Sequence, residues 1–494
     1  MRRSGNGPIM AVDATDAGET AMTMPTADLN PGLAALLDGD FGRGFHMRRA
    51  EREELQLAAL RERFAALRGP IGALGRLADE QGIAEIGRLE DAAPLLFPHT
   101  VYKSYPLSFL ENGRFDRLTR WLDGLTAIDL SNVDASGVET IDDWVRLLDA
   151  GTELAVIHTF GTSGKLSFLP RTKSHTRLAV ALNSRAIRDF HGHLSGPDLL
   201  EQHRPLISPS YRLGASSIAR GMNQMAQDYA GGLDNALFLY PDAWFSADVA
   251  SLAGRIKAAE ARGEMGQLRI SPALLARREE FAVREASRAA DMDVFFQAAA
   301  ARFAGGDVFM FAVWPILFEW AEEGLKRGMR GMFGPGSVLT TGGGSKGKVL
   351  PPDYKDQIFE FLGFDRHFEF FGMSELMANA PKCEAGHFHF PPLVVPYVLD
   401  PDTGECLPRE GTQSGRLALM DLVPENYWGG FITGDEVTMS GFDDTPCACG
   451  RTGPRLHSEI RRFSEARGGD DKINCAGAPE AHDRAVDFLL EKAQ

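Results

Sequence analysis

The residues best suited to chemistry fall in a few short clusters. The first is Thr159-Phe160-Gly161-Thr162-Ser163-Gly164-Lys165-Leu166-Ser167. Small residues let backbone N–H groups wrap closely around phosphate oxygens. The hydroxyls of Thr162 and Ser163 add donors, and Lys165 adds positive charge. The spacing of Gly, Lys and Ser does not fit a Walker loop, and the same run also reads as a plain strand-to-loop turn. The second cluster is Thr340-Thr341-Gly342-Gly343-Gly344, with Lys346 and Lys348 beside it. It allows a ligand to approach the backbone closely, or it is a flexible surface loop. The third, Phe370-Phe371-Gly372-Met373-Ser374-Glu375, sets a hydroxyl beside a carboxylate. A carboxylate suits Mg²⁺, a hard cation that prefers oxygen ligands; the alternative is a buried strand end with a polar turn. Thr433-Gly434-Asp435 offers a carboxylate able to accept from two adjacent hydroxyls, or it is an ordinary turn. Finally, Cys383, Cys447 and Cys449 with His387 or His389 have the residue types of a Cys₃His zinc site. Free buried cysteines and a solvated histidine pair are the alternative.

These clusters need elements to hold them. Met47 to Leu67 carries apolar residues at helical spacing among good helix formers and predicts an amphipathic helix. Ile71 to Leu89 predicts more helix, ending before Pro94. Glu153 to Thr159 is short and β-prone and feeds directly into the first cluster. Short apolar runs such as Val308–Trp314 and His367–Phe371 alternate with helical patterns, which argues for an α/β domain. From Leu393 onward the pattern turns to strands joined by turns, with Pro401 to Gly404 a strong turn signal. After Pro454 a charged, glycine-containing stretch reads as an exposed hinge or loop, followed by a short helical tail, Ala481 to Lys492.

The order and spacing of the clusters resemble the adenylate-forming superfamily of acyl-CoA synthetases, peptide-synthetase adenylation domains and firefly luciferase, over roughly residues 100–480. Phe160 and Leu166 replace the usual small hydroxyl residue and proline of the superfamily's phosphate loop. The resemblance implies ATP-dependent activation of a carboxylic acid to an acyl-adenylate with pyrophosphate release. It implies that Thr159, Gly161, Thr162, Ser163, Gly164 and Lys165 surround the phosphates. Gly342 and Gly343 would line the acyl and adenine pocket, Phe371 would stack on adenine beside Gly372, and Asp435 would accept from the ribose. Ser374 would place the reacting carboxylate, Glu375 would hold Mg²⁺, and Arg467 lies near the family's ribose-contacting arginine. Cys447 to Arg455 is similar to a segment of phenylacetate-CoA ligases, as are Asp400–Pro408 and Gly415–Leu422. Gly386–Pro392 and the Asp421-Leu422 pair resemble the acyl-protein synthetases of bacterial luminescence. The first of these branches implies a structural Zn²⁺ on Cys383, His389, Cys447 and Cys449, with His389 preferred over His387.

The implied fold is a large α/β adenylate-forming core over 46–460, β-rich from about 393. A flexible extension precedes it over 1–45, and 461–494 holds a hinge and a remnant of a mobile C-terminal domain that is otherwise missing. That domain's catalytic lysine has no match; Lys472 is a substitute or an exposed loop lysine. The acyl acceptor is open among coenzyme A, a carrier or partner protein, another small nucleophile, and Cys475 as an internal relay. Cys475 also reads as a small residue packing a terminal strand. A nucleotide-binding protein with little or no catalysis is the competing class. The net charge of −16 opposes a phosphate backbone and argues against a nucleic-acid partner. No stretch approaches the ~20 apolar residues that span a bilayer, and Met1 to Leu29 lacks the apolar core of a signal peptide. The five cysteines, Cys406 included, lie in the last quarter. That layout is poor for a disulfide scaffold and fits a reducing cytoplasm.

Overall fold

The computed structural model describes residues 33, 36, 41–159, 165–191, 203–344, 349–463, 485, 488 and 489. The first expected helix forms as α1, Arg49–Leu67. Leu60, Phe64 and Leu67 recur at helical spacing and are buried along one stripe. The second is shorter than its pattern implied. α2 covers Gly72–Glu80, and Gly82, at φ 66°, turns the chain away while the Ile83 N–H returns to the Ala78 carbonyl at 2.9 Å. Leu89–Leu95 is a separate 3₁₀ segment that contains Pro94. Leu33, Leu36 and Phe45 are buried in the largest core, and Phe45 packs edge-on against Phe190 at 4.8 Å.

Two larger sheets organise the chain. β1 (Phe97–Pro98) joins the second of them. The strand expected over Glu153–Thr159 is reduced to β2 (Ile157–His158), which pairs antiparallel with β3 (Phe168–Leu169) as a separate ribbon. The first large sheet contains β4 (Leu206–Gly214), β5 (Ala236–Phe245), β6 (Phe309–Phe311), β7 (Val338–Gly342), β8 (His367–Phe371) and β9 (Ala380–Pro381), in the order β5-β4-β6-β7-β8-β9. Its pairings are parallel up to β8, and β9 runs antiparallel. Both faces are covered, as parallel sheets require. Leu206, Phe309 and Val338 sit in register on one face, in the main core; Ile207, Met310 and Leu339 sit on the other.

The helices between these strands do the covering. α3 (Ile141–Gly151) leads into the ribbon, and α4 (Lys173–Phe190) and α5 (Ser217–Asp228) pack over the first face. α6 (Ala247–Arg262) follows β5. α7 (Arg278–Phe303), α8 (Trp314–Lys326) and α9 (Tyr354–Leu362) enclose the second face through Phe296, Trp320 and Phe361.

The second large sheet comprises β10 (Phe388–His389), β11 (Val394–Leu399), β12 (Gln413–Asp421), β13 (Gly430–Ser440), β14 (Arg455–Leu456) and β15 (Arg461–Arg462), with β1. The chain is therefore α/β with a second, β-rich sheet. That sheet draws β1 and β10 from outside the segment that begins at Leu393. Among the described residues, no helix is long and apolar enough to cross a membrane.

Candidate active site

Gly372 to Met377 is the loop that leaves β8 toward β9. Within it, Ser374 Oγ lies 3.2 Å from Ser217 Oγ at the start of α5. Glu375 is half-buried. Burial raises its carboxyl above the usual carboxylate range, against its own backbone N–H and the charges of Arg171, His99 and Lys103. Gly372 has no room for a side chain, because a Cβ there would collide with the amide of Asn379.

Thr433-Gly434-Asp435 is not a turn but a bulge within β13. Arg416 pairs with Glu436 and Ala418 with Ile432, so three residues of β13 oppose Leu417 alone. The hydroxyl of Thr433 satisfies the gap, donating to the Leu417 carbonyl at 2.8 Å and accepting from the Asp435 N–H at 3.1 Å. Bulges re-aim side chains in this way. Asp435 is buried beside Arg462, 3.0 Å away. Burial raises its pKa, opposed by Arg462, His99 and Arg416. His99 thus acts on both Asp435 and Glu375, and Lys103 acts on both Glu375 and Lys165.

A cavity of about 250 Å³ opens beside this loop. Gly342, Gly343, Phe370, Gly372, Met373 and Ser374 contribute to its wall, with apolar side chains of α4 and α5 opposite. A Cβ on Gly342 would approach the Phe370 carbonyl to 2.7 Å, and Gly343 has φ 76°; both positions require glycine. β8 alternates, so Phe371 faces away from the cavity lined by Phe370 and packs 6.2 Å from Phe388 and 6.1 Å from Phe390. Charge in the cavity wall is compensated. Arg220 is ion-paired to Asp149 at 2.7 Å, and Arg171 is held by backbone carbonyls.

Lys165 donates to the Tyr105 carbonyl at 2.7 Å, and its ammonium sits 5.5 Å from the Tyr105 ring centroid. Burial, then Lys103, lowers its pKa. The Thr159 N–H reaches the Ser167 carbonyl at 3.0 Å, closing the base of the connection between β2 and β3. Gly161, Thr162, Ser163 and Gly164 within that connection lie outside the described residues, as do Lys346, Lys348, Arg467, Lys472 and Cys475.

Cys383, His389, Cys447 and Cys449 bring their ligand atoms within 4.8 Å of one another. The Sγ atoms of Cys383 and Cys447 are 4.0 Å apart, and Cys449 Sγ is 3.4 Å from His389 Nε2. Two bonds of about 2.3 Å at a tetrahedral angle separate two sulfurs by about 3.8 Å, so the cluster has the dimensions of a zinc site. His387 Nδ1 lies 3.2 Å from Cys447 Sγ, outside the four.

Sequence reasoning missed His99, Lys103, Arg171 and Ser217. They are isolated polar residues on three separate segments, with no motif to mark them; only the tertiary fold brings them to the Ser374-Glu375 pair.

No protein-family model matches the chain, and no curated protein matches it. Among solved structures it is similar to 2-hydroxyisobutyryl-CoA ligase in complex with 2-HIB-AMP and CoA in the thioesterification state, at 16% identity, covering 85% of this chain and 70% of that one with a TM-score of 0.48. The same ligase in the postadenylation state gives 16% identity, 89% and 74% coverage, and a TM-score of 0.47. The amide bond synthetase McbA from Marinactinospora thermotolerans gives 15% identity, 62% and 48% coverage, and a TM-score of 0.31. Likeness at this level assigns no activity, so function is read from the site's own geometry.

Proposed function

We propose that this protein activates a carboxylic acid with ATP, forming an acyl-adenylate and releasing pyrophosphate. The observation that carries the reading is the position of the Ser374-Glu375 loop. Ser374 borders a largely apolar cavity, its hydroxyl lies 3.2 Å from Ser217 Oγ at the start of α5, and Glu375 follows it in the chain. A carboxylate oxygen of the acid attacks the α-phosphorus of ATP, the bond to the bridging oxygen breaks, and pyrophosphate leaves. The nucleophile belongs to the substrate, so the protein contributes positioning and electrostatic stabilisation. Ser374 orients the acid, Asp435 accepts from the ribose, and Phe371 offers its ring to adenine on the β8 face away from the acyl cavity. Lys165 and the glycine loop surround the phosphates. Glu375 is the residue placed to hold Mg²⁺, which would neutralise phosphate charge.

The cavity supports the substrate class. It is smaller than the ~300–1,000 Å³ of typical drug-sized sites, and its cationic groups already have partners. A compact apolar monocarboxylic acid fits that chemistry. The acceptor that follows is a thiol or other nucleophile, either coenzyme A, a carrier protein or a small molecule, with Cys475 as an internal alternative. ATP–pyrophosphate exchange across a panel of acids tests the reading. The expected result is acid-dependent exchange, strongest for compact apolar acids. Tight nucleotide binding without exchange for any acid would instead support a nucleotide-binding protein lacking catalysis.

Cys383, His389, Cys447 and Cys449 are proposed to hold a structural Zn²⁺ joining β9 and β10 to the segment before β14. Elemental analysis of protein purified without chelator should find about one equivalent. Less than about half an equivalent would sink the assignment.

A further inference from the structure

Two buried charged residues with no role assigned above, Arg171 at the cavity wall and Asp421 behind the loop, meet at the loop that carries Glu375. Arg171 follows β3 and is only 4% exposed. Its Nη2 donates to the Ser374 carbonyl at 2.7 Å and to the Leu376 carbonyl at 2.6 Å. Those are the two carbonyls flanking Glu375. Asp421 ends β12 and is fully buried. Its Oδ2 accepts from the Met377 N–H at 2.6 Å, and its Oδ1 from the Val423 N–H at 2.9 Å. The loop is therefore held by its carbonyls from one side and by its next amide from the other. Charge-assisted bonds of this kind are stronger than neutral ones and fix geometry.

We propose that Arg171 and Asp421 form a buried clamp that sets Glu375 in place for the cation–nucleotide complex. They are positioning residues in the adenylation reaction, and the inference rests on that reading. Arg171 also ties the clamp to the segment bearing the glycine loop. Its carbonyl accepts from the Ala155 N–H at 2.7 Å, just before β2. The loop that would cradle phosphate and the loop that would hold the cation thus share one anchor. Arg171 is the foremost charge opposing the effect of burial on both Glu375 and Asp421. The other ionisable groups acting at Glu375 are His99, Lys103 and Tyr102.

The test uses the full chain and the variants Arg171→Ala, Arg171→Lys and Asp421→Asn, each checked for folding by circular dichroism. In pyrophosphate exchange, Arg171→Ala should raise the Mg²⁺ concentration at half-saturation about tenfold, the scale of one lost charged hydrogen bond. Arg171→Lys, which restores charge and donors, should recover most of this loss, and Asp421→Asn should raise the half-saturation by less. If Arg171→Ala does not fold, the two conservative variants carry the test. Folded variants that lose exchange with unchanged Mg²⁺ half-saturation would overturn the clamp. Hydrogen exchange of residues 373–377 reads the clamp without turnover. Protection there should fall about tenfold on losing Arg171, and unchanged protection would also overturn it. A parent that exchanges with no acid counts against the adenylation reading; the loop measurement then still decides whether the clamp exists.

Discussion

Buried carboxylates occur in two regions of this molecule under opposite conditions. Where α3 meets α6, Asp142 accepts at Oδ1 from Trp244 Nε1 at 3.1 Å and the Ala247 N–H at 2.8 Å. Its Oδ2 accepts from Ser246 Oγ at 2.6 Å and Arg277 Nη1 at 3.3 Å. Asp248 returns the contact, accepting from the Ile141 and Asp142 N–H groups at 2.8 and 2.9 Å. Each helix thus lends a carboxylate to the exposed N–H groups and positive end of the other. In the cleft, Asp435 meets one ion pair, and Glu375 is steadied by its own backbone N–H and by nearby cations. A carboxylate kept for structure has its lone pairs occupied. Among the described residues, Glu375 and Asp435 meet fewer donors than Asp142, which suits the proposed roles toward a cation and a ribose hydroxyl.

The largest effect should come from breaking the saturated pair. Asp142→Ala leaves Arg277, Trp244, Ser246 and the Ala247 N–H without their acceptor, and should cost about 3–5 kcal/mol of stability. Chemical denaturation checks this, and pyrophosphate exchange should persist in whatever fraction stays folded. A loss under about 1 kcal/mol would erase the contrast. The sparsely partnered Glu375 should behave in the reverse way. Glu375→Gln should lower exchange roughly 100–1,000-fold while leaving the unfolding midpoint in place, because it removes a buried charge and few partners. Burial raises the pKa of Glu375, and only its ionised form suits Mg²⁺. The parent's activity should therefore fall as pH drops through a limb above the ordinary ~4.3 of glutamate, and Glu375→Gln should lack that limb. An identical limb in the variant would assign it to another group.

How far these regions could be read in advance follows from how local their signals are. α1, β8 and the strands after Leu393 were legible because helical or alternating apolar spacing is written within one segment. The motifs containing Ser374, Glu375 and Asp435 are written locally in the sequence, and the convergence of Cys383, His389, Cys447 and Cys449 was legible as residue types. The Thr433–Asp435 bulge was not, since it depends on the register of β13 against β12. α2 ended early because Gly82 stops a pattern that apolar spacing alone would continue to Leu89. Arg171 gave no signal, and Asp421 was visible only within a family-like Asp-Leu pair, since neither side chain touches the cleft loop until the β2–β3 ribbon and β12 have packed against it. The saturated Asp142–Asp248 pair was equally hidden, because its donors come from helix ends more than a hundred residues apart.

The smallest effect concerns a carboxylate between the two extremes. Glu369 on β8 keeps a side-chain exposure of 17%, yet cations surround it. Lys382 Nζ is 2.7 Å from Oε2, Lys355 Nζ 3.0 Å from Oε1, and His367 Nε2 3.7 Å away. His367 foremost, then the two lysines, hold its pKa well below the usual range against the cost of partial burial. A depressed folded pKa means the group stabilises the fold above its unfolded pKa of ~4.3, and that contribution is lost as pH falls through the folded value. Solvent screening keeps such a network modest, so Glu369→Gln should cost about 1 kcal/mol at neutral pH. The gap between parent and variant should stay constant down to about pH 5 and narrow below about pH 4. Paired denaturation curves at neutral and acid pH measure it. A gap that stays constant throughout would mean Glu369 acts through packing rather than charge, leaving ionic saturation as a property of the Asp142–Asp248 junction alone.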